Sequence, residues 1–492
     1  MKKLITLIVL IQLSYNGFSQ TCDCKATLEW AKKVFEENDA GFSTIMNMQG
    51  KPQAYKIHNA LFRQKVETIF DITKCASTID EWMKFFRSGH LRFAVLPSIV
   101  NDTNIENQPN EDSKSEKKWE KIDFNLEEFN SYLLKKNTSD FEGVWVSGPY
   151  EIGIRKIGEE YIGFIIDPGT SNWQKGQVKL RIKKDRSAIY FMGDYSEERM
   201  ENTQLWEADY LRIGFITLQR KSSLLSPNSL VAEYFKAIEA TEPYFKKLDE
   251  STVYIRIPSF NPSEKVKIDS LLKIHHLDIL NAQNFLIDIR NNSGGGDSSY
   301  EELIPYLYTN PIRKIGIEYL ATEYNKKMWL DFANNKGFIK ELYGGKDWPV
   351  EMQKECQGIY EKLAPYDGEF VSLDDSPVKE NVIDNVYPFP KKIGILINGN
   401  VASTSEQFVL AARQSMKVKL FGTTTYGALD MSNLNYVKSP CGQFYINFAS
   451  SRSKRLPENK IDDIGLQPDY YFDKTIKPYK WIDKTIEILN YK

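Results

Sequence analysis

Ser403 is the residue in this sequence best placed to do chemistry. It lies in Asn398-Gly399-Asn400-Val401-Ala402-Ser403-Thr404-Ser405-Glu406, after the apolar run Ile393–Ile397 and before Phe408, Val409 and Ala412, which keep helical spacing. A serine on a strand-to-helix turn is held clear of the sheet and close to helix N-terminal amides, which can stabilise a developing oxyanion. The same residues have a plainer meaning: Ser403 followed by Glu406 three positions on is a capping box, which starts many helices with no catalysis. A second segment has comparable promise. The apolar strand Phe285–Ile289 runs through Arg290, Asn291, Asn292 and Ser293 into Gly294, Gly295 and Gly296. Glycines let backbone amides approach a ligand closely, which suits an oxyanion hole. A tight turn with positive φ is the alternative. The phosphate-loop patterns G-x-x-x-x-G-K and G-x-G-x-x-G are both absent.

Two further segments follow in order, Gly422-Thr423-Thr424-Thr425-Tyr426-Gly427 and Ile461-Asp462-Asp463-Ile464-Gly465-Leu466-Gln467-Pro468-Asp469. Together the four segments resemble those of the tail-specific, or C-terminal processing, serine peptidases. The glycine segment is similar to that family's D-x-R-x-N-x-G-G, and the last two are similar to its G-x-x-T-x-G and E-x-x-G-I-x-P-D. The likeness runs from Ser229 to Phe472, roughly half the chain. It implies an α/β core of the crotonase-like (ClpP/crotonase) kind and hydrolysis of peptide bonds in proteins or peptides by Ser403. It also implies an oxyanion hole from Gly294, Gly295 and the Thr404 amide, with no metal or organic cofactor.

The chain departs from the family at one decisive position. Many members place a lysine base directly after T-x-G, and here that position is Ala428. Without a base, a serine hydroxyl is a weak nucleophile. In the tricorn-like branch a histidine from an upstream segment serves instead, and Phe86-Arg87-Ser88-Gly89-His90-Leu91-Arg92-Phe93 resembles that branch's D-G-H-T segment, with Ser88 where many relatives carry Asp. His90 is therefore the expected base, and an imidazole suits that role near neutral pH. His58, His275 and His276 read as structural. A carboxylate should complete the site. Glu406 and Asp462 both match family positions, and the choice between them stays open. Two other functions remain: a catalytically silent binding protein on the same fold, and an esterase or acyl hydrolase, against which the missing G-x-S-x-G elbow counts.

These residues need elements to hold them. Residues 20–118 read as a helical N-terminal region that carries His90 and ends in a polar linker, Asn101–Lys118. Residues 119–228 read as a small all-β domain, a barrel or sandwich, with short β-type runs separated by turns such as Asp167-Pro168-Gly169. Residues 229–474 alternate strands with helices, as an α/β core does, and carry a charged, aromatic insertion over about 311–387. A C-terminal tail, 475–492, follows. Lys2 and Lys3, the apolar run Leu4–Leu13, and small residues Gly17 and Ser19 read as a signal peptide over 1–19, hence an exported protein, periplasmic or extracellular. That apolar run is well short of the ~20 residues a membrane span needs. With 64 Lys plus Arg against 66 Asp plus Glu, the charge gives no footprint for nucleic acid. Export permits disulfides, and five cysteines leave at least one unpaired. Cys24–Cys75 is one candidate bridge, with the pairing left open.

Overall fold

The computed structural model describes residues 22–97, 119–136, 140–221, 229–342 and 345–491. The expected signal peptide and the linker Asn101–Lys118 fall outside these residues. Among the described residues, no helix is long and apolar enough to cross a membrane. The chain divides into two compact units. One comprises Met1–Gln108, Thr241–Thr475 and Lys484–Lys492; the other comprises Pro109–Ala240 and Ile476–Asp483.

The first unit is mixed α/β. Its central sheet runs in the order Tyr244–Lys247, Thr252–Arg256, Asn284–Asp288, Lys392–Ile397, Val418–Gly422 and Tyr470–Tyr471. The first of these strands is antiparallel to its neighbour and the other five are parallel. Phe285, Ile287, Ile393, Ile395 and Ile397 are fully buried, the near-continuous apolar pattern of strands covered on both faces. Parallel neighbours require crossover connections. Helices Lys265–Ile274 and His276–Asn281 make the first crossover, and Thr404–Ala412 makes the one after Lys392–Ile397. As a result, three polar segments leave the same end of three adjacent strands: the run through Gly294, the run through Ser403, and the run from Thr423 to Ala428. The carboxyl end of such a sheet is where ligands collect in open α/β folds.

The N-terminal region forms helices Cys24–Asn38, Phe42–Met46, Lys51–Val66 and Ile72–Met83. It also forms a strand, Arg92–Val95, which the helical expectation omits. That strand pairs with Phe444–Ser453, so Phe93 packs with Phe444, Ile446 and Phe448 in one core with Phe35, Trp82 and Phe86. His90 thus enters a turn between a helix and a strand, both anchored in that core. Cys24–Cys75 closes one disulfide, and Cys22–Cys441 joins the N-terminal region to the turn before Phe444–Ser453. Cys356 is buried and free. The insertion builds a core of its own around Met328, Trp329, Cys356 and Leu363, and its strand Ile317–Leu320 also pairs with Phe444–Ser453.

In the second unit, nine strands form one continuous antiparallel sheet around Trp145, Ile152, Ile154, Leu180 and Leu218. Three of them, Glu197–Met200, Thr203–Trp206 and Tyr210–Ile213, are four residues each, too short to carry a clear alternation in the sequence. Helices Leu126–Leu134 and Leu230–Glu239 belong to the same unit, so strands do not make it up alone.

Candidate active site

Ser403 is the N-cap of Thr404–Ala412 in a capping-box arrangement with Glu406. Its backbone is not that of an ordinary cap. N-cap residues are extended, whereas Ser403 has φ 58° and ψ −125°. A side chain at positive φ is strained and persists only where its surroundings over-determine it. Here they do. The Ser403 amide donates to the Ala428 carbonyl at 3.0 Å and to Glu406 Oε2 at 3.2 Å. The fully buried Glu406 carboxylate also accepts the amides of Gly427 and Ala428, at 2.8 and 2.9 Å, and the Thr425 hydroxyl at 2.5 Å. Burial raises its pKa, and those four donors pull against the rise. Glu406 therefore straps the Thr425–Ala428 segment to the serine turn.

Gly294 lies against the same turn. With φ 110°, a Cβ placed on it would sit 2.8 Å from Ser403 Cβ and 3.0 Å from the Thr404 nitrogen. Only glycine allows this approach. The Gly294 amide donates to Asn292 Oδ1 at 3.0 Å, so it is already engaged. The Thr404 hydroxyl donates to the Gly295 carbonyl at 2.9 Å and ties the glycine loop to the helix start. Among the described residues, no acceptor takes the Gly295 or Thr404 amide. The Thr404 amide, at the helix N-terminus directly after Ser403, and the Gly295 amide, in the loop packed on the same turn, can stabilise negative charge on a bound carbonyl oxygen. Asp288 and Arg290, in the same segment, form a buried ion pair at 2.6 Å. The Tyr254 hydroxyl donates to Asp288 at 2.9 Å. These groups brace the strand end.

His90 also has positive φ, 56°. The buried Arg87 guanidinium holds its turn, pairing with Asp39 at 2.6 Å and donating to the Gly89 and His90 carbonyls at 3.0 Å. The turn docks on Ala428: a Cβ on Gly89 would lie 2.5 Å from Ala428 Cβ, and the Ala428 carbonyl is the acceptor of the Ser403 amide. The imidazole Nδ1 bonds the Met431 carbonyl. A carbonyl only accepts, so this bond places the proton on Nδ1 and leaves Nε2 of the neutral ring unprotonated. Burial drives the His90 pKa down to about 4, against the Met431 bond and with the nearby Arg87 charge. The ring is therefore neutral at pH 7.

Asp462 is buried at 4% exposure and accepts the amides of Leu429, Asp430 and Met431, at 2.6, 2.7 and 3.3 Å. Asp430 returns the arrangement by accepting the amides of Ile461 and Asp462, at 2.6 and 2.8 Å. Burial, then the Asp430 charge, raise the Asp462 pKa to about 6. Asp462 thus shapes the segment whose Met431 carbonyl orients His90, and Glu406 shapes the serine turn. Both carboxylates end on backbone amides. Sequence reasoning missed Met431, Arg87, Asp39 and Asp430. Arg87 sits inside the histidine segment and was open to notice; Met431 acts through its carbonyl, which no residue type announces. Of the histidines set aside, His58 bonds the Trp82 carbonyl at 2.9 Å and His276 the Tyr306 hydroxyl at 2.7 Å.

Residues 251–472 match the model of peptidase family S41. The match supports a peptidase and takes in all four motif segments. No curated protein matches the sequence. Among solved structures, the chain is similar to mature CPAF at 12% identity and TM-score 0.47, covering 95% of this chain and 97% of that one. It is similar to the photosystem II D1 C-terminal processing protease at 13% identity and TM-score 0.39, covering 95% and 98%. It is similar to a lipoprotein from Streptococcus agalactiae at 11% identity and TM-score 0.37, covering 95% and 96%. Likenesses this distant carry no weight for the site.

Proposed function

We propose that this chain, which carries a peptidase family S41 region over residues 251–472, is an exported serine peptidase acting on proteins or peptides. Ser403 attacks the carbonyl carbon of the scissile bond. His90 Nε2 takes the hydroxyl proton and later delivers it to the leaving amine. The Gly295 and Thr404 amides hold the oxyanion, and Gly294 gives them room to approach. Asp462 and Glu406 act through the backbone: Asp462 aims the Met431 carbonyl at His90, and Glu406 fixes the strained serine turn. Two disulfides accord with export.

The observation that carries the proposal is the docking of Gly89 on Ala428. It brings a histidine turn to the position left without a lysine, beside the carbonyl that holds the Ser403 amide. The test is covalent capture. A fluorophosphonate, which reacts with activated serines, should add once to the wild type, and peptide mapping should place the adduct on Ser403. Ser403→Ala should show no adduct, and His90→Ala should label at least about 100-fold more slowly, the scale of a lost general base. An adduct elsewhere, or equal labelling of the His90→Ala variant, would refute the assignment.

A further inference from the structure

Asp463 follows the carboxylate singled out by its motif, and nothing in the proposed reaction uses it. It has φ 65°, so its amide and its side chain face different segments. The amide donates to the Gly427 carbonyl at 2.9 Å. Its Oδ1 accepts both the amide and the hydroxyl of Ser88, at 2.8 and 2.7 Å. Lys460 Nζ reaches Oδ2 at 3.4 Å. Burial pushes the carboxyl pKa up, but the two Ser88 donors and Lys460 hold it below its ordinary value.

These bonds complete a path between the two halves of the site. The Ser403 amide binds Glu406, Glu406 binds the Gly427 amide, the Gly427 carbonyl binds Asp463, and Asp463 binds Ser88, two residues before His90. Arg87 shapes the histidine turn from within, and the Tyr426 hydroxyl donates to the Ser88 carbonyl at 3.0 Å from outside. Asp463 supplies this turn with a charge-assisted pair of bonds from the Gly427 side, and such bonds are stronger than neutral ones.

We infer that Asp463 is a positioning residue that sets the distance between His90 and Ser403, an inference that rests on the serine-peptidase reading above. Placement errors of about 1 Å cost on the order of 100-fold in rate. In turnover of an unstructured fluorogenic peptide, Asp463→Gly, which keeps the positive φ and removes the carboxylate, should lower kcat about 100-fold. KM should stay within about twofold, since a misplaced base slows the chemical step and leaves ground-state binding alone. Asp463→Asn keeps an acceptor oxygen and tolerates this φ, so it should recover most of that loss. Thermal unfolding gives the folded fraction of each variant. Three results would overturn the inference while sparing the peptidase reading: full kcat in Asp463→Gly, a kcat loss that only tracks unfolded protein, or Asp463→Asn as impaired as Asp463→Gly. If Asp463→Gly does not fold, Ser88→Ala decides. A kcat drop of about tenfold or more at constant KM supports the clamp, in line with one lost charge-assisted bond, and an unchanged kcat overturns it. A wild type with neither turnover nor Ser403 labelling would overturn both.

Discussion

At the scale of single residues, the proposed nucleophile and base are both held at positive φ, Ser403 at 58° and His90 at 56°, and each is pinned by buried polar partners. Backbone strain of this kind costs about 1–3 kcal/mol per residue and needs compensation nearby. Glu406 supplies it for Ser403. Glu406→Ala strands the Thr425 hydroxyl and the Gly427 and Ala428 amides and leaves the Ser403 amide only the Ala428 carbonyl, so it should lower stability by about 3 kcal/mol, read as a lower urea midpoint at unchanged slope. The pH profile follows from His90. As base, the ring must be neutral, and its pKa of about 4 lies below the ordinary 6.5. The acid limb of kcat/KM should therefore fall near pH 4 to 5, not near 6.5; a limb at 6.5 would show a solvated, unshifted ring. The sign for stability agrees. The unfolded chain takes up the proton first, so this contribution is present above pH 6.5 and is lost as pH falls toward 4. The turn at Ser403 and the glycine loop were legible in the sequence because apolar strand runs lead into both. The Met431 carbonyl was not, since any residue offers one, and the reach of Asp462 and Glu406 to amides depends on how three loops fold together.

At the scale of elements, the site is an arrangement of turns at the carboxyl ends of adjacent parallel strands, with the histidine turn brought to it from the N-terminal region. Close backbone approach makes two glycines critical. Gly89→Ala puts a methyl 2.5 Å from Ala428 Cβ. Relief requires the histidine turn to lift, and kcat/KM should drop at least about tenfold with roughly 1–3 kcal/mol lost in stability. The same contact predicts that Ala428→Lys, made in the His90→Ala background, will not restore activity, because the Gly89 turn occupies the space the longer side chain would need. Recovery of turnover in that double variant would show the turn to be displaceable. The core strands were readable as apolar runs. Arg92–Val95 was not, because four residues beside a long helical pattern carry little period of their own, and its pairing with Phe444–Ser453 spans most of the chain.

At the scale of the whole molecule, the unit that holds the site is assembled from distant parts of the sequence. The N-terminal helices contribute His90, and disulfide Cys22–Cys441, 419 residues apart, ties them to the strand that follows. Closing long loops restricts the unfolded chain by about 4 kcal/mol or more for each bridge in the chain-entropy account. The double variant Cys22→Ser/Cys441→Ser should unfold several degrees lower while its Cys24–Cys75 bridge persists; an unchanged midpoint would mean the bridge adds nothing to the folded state. The Cys22–Cys441 pairing was beyond sequence reasoning, since five cysteines allow several connectivities, whereas Cys24–Cys75 was already a candidate. The central claim, that Ser403 and His90 act as nucleophile and base, is tested most directly by kcat/KM on fluorescein-labelled casein for the wild type, Ser403→Ala and His90→Ala, each checked for native folding. The account predicts turnover by the wild type and losses of about a thousandfold or more in both variants, similar in size because the two groups act as one unit. Proteolysis by Ser403→Ala at the wild-type rate would contradict it.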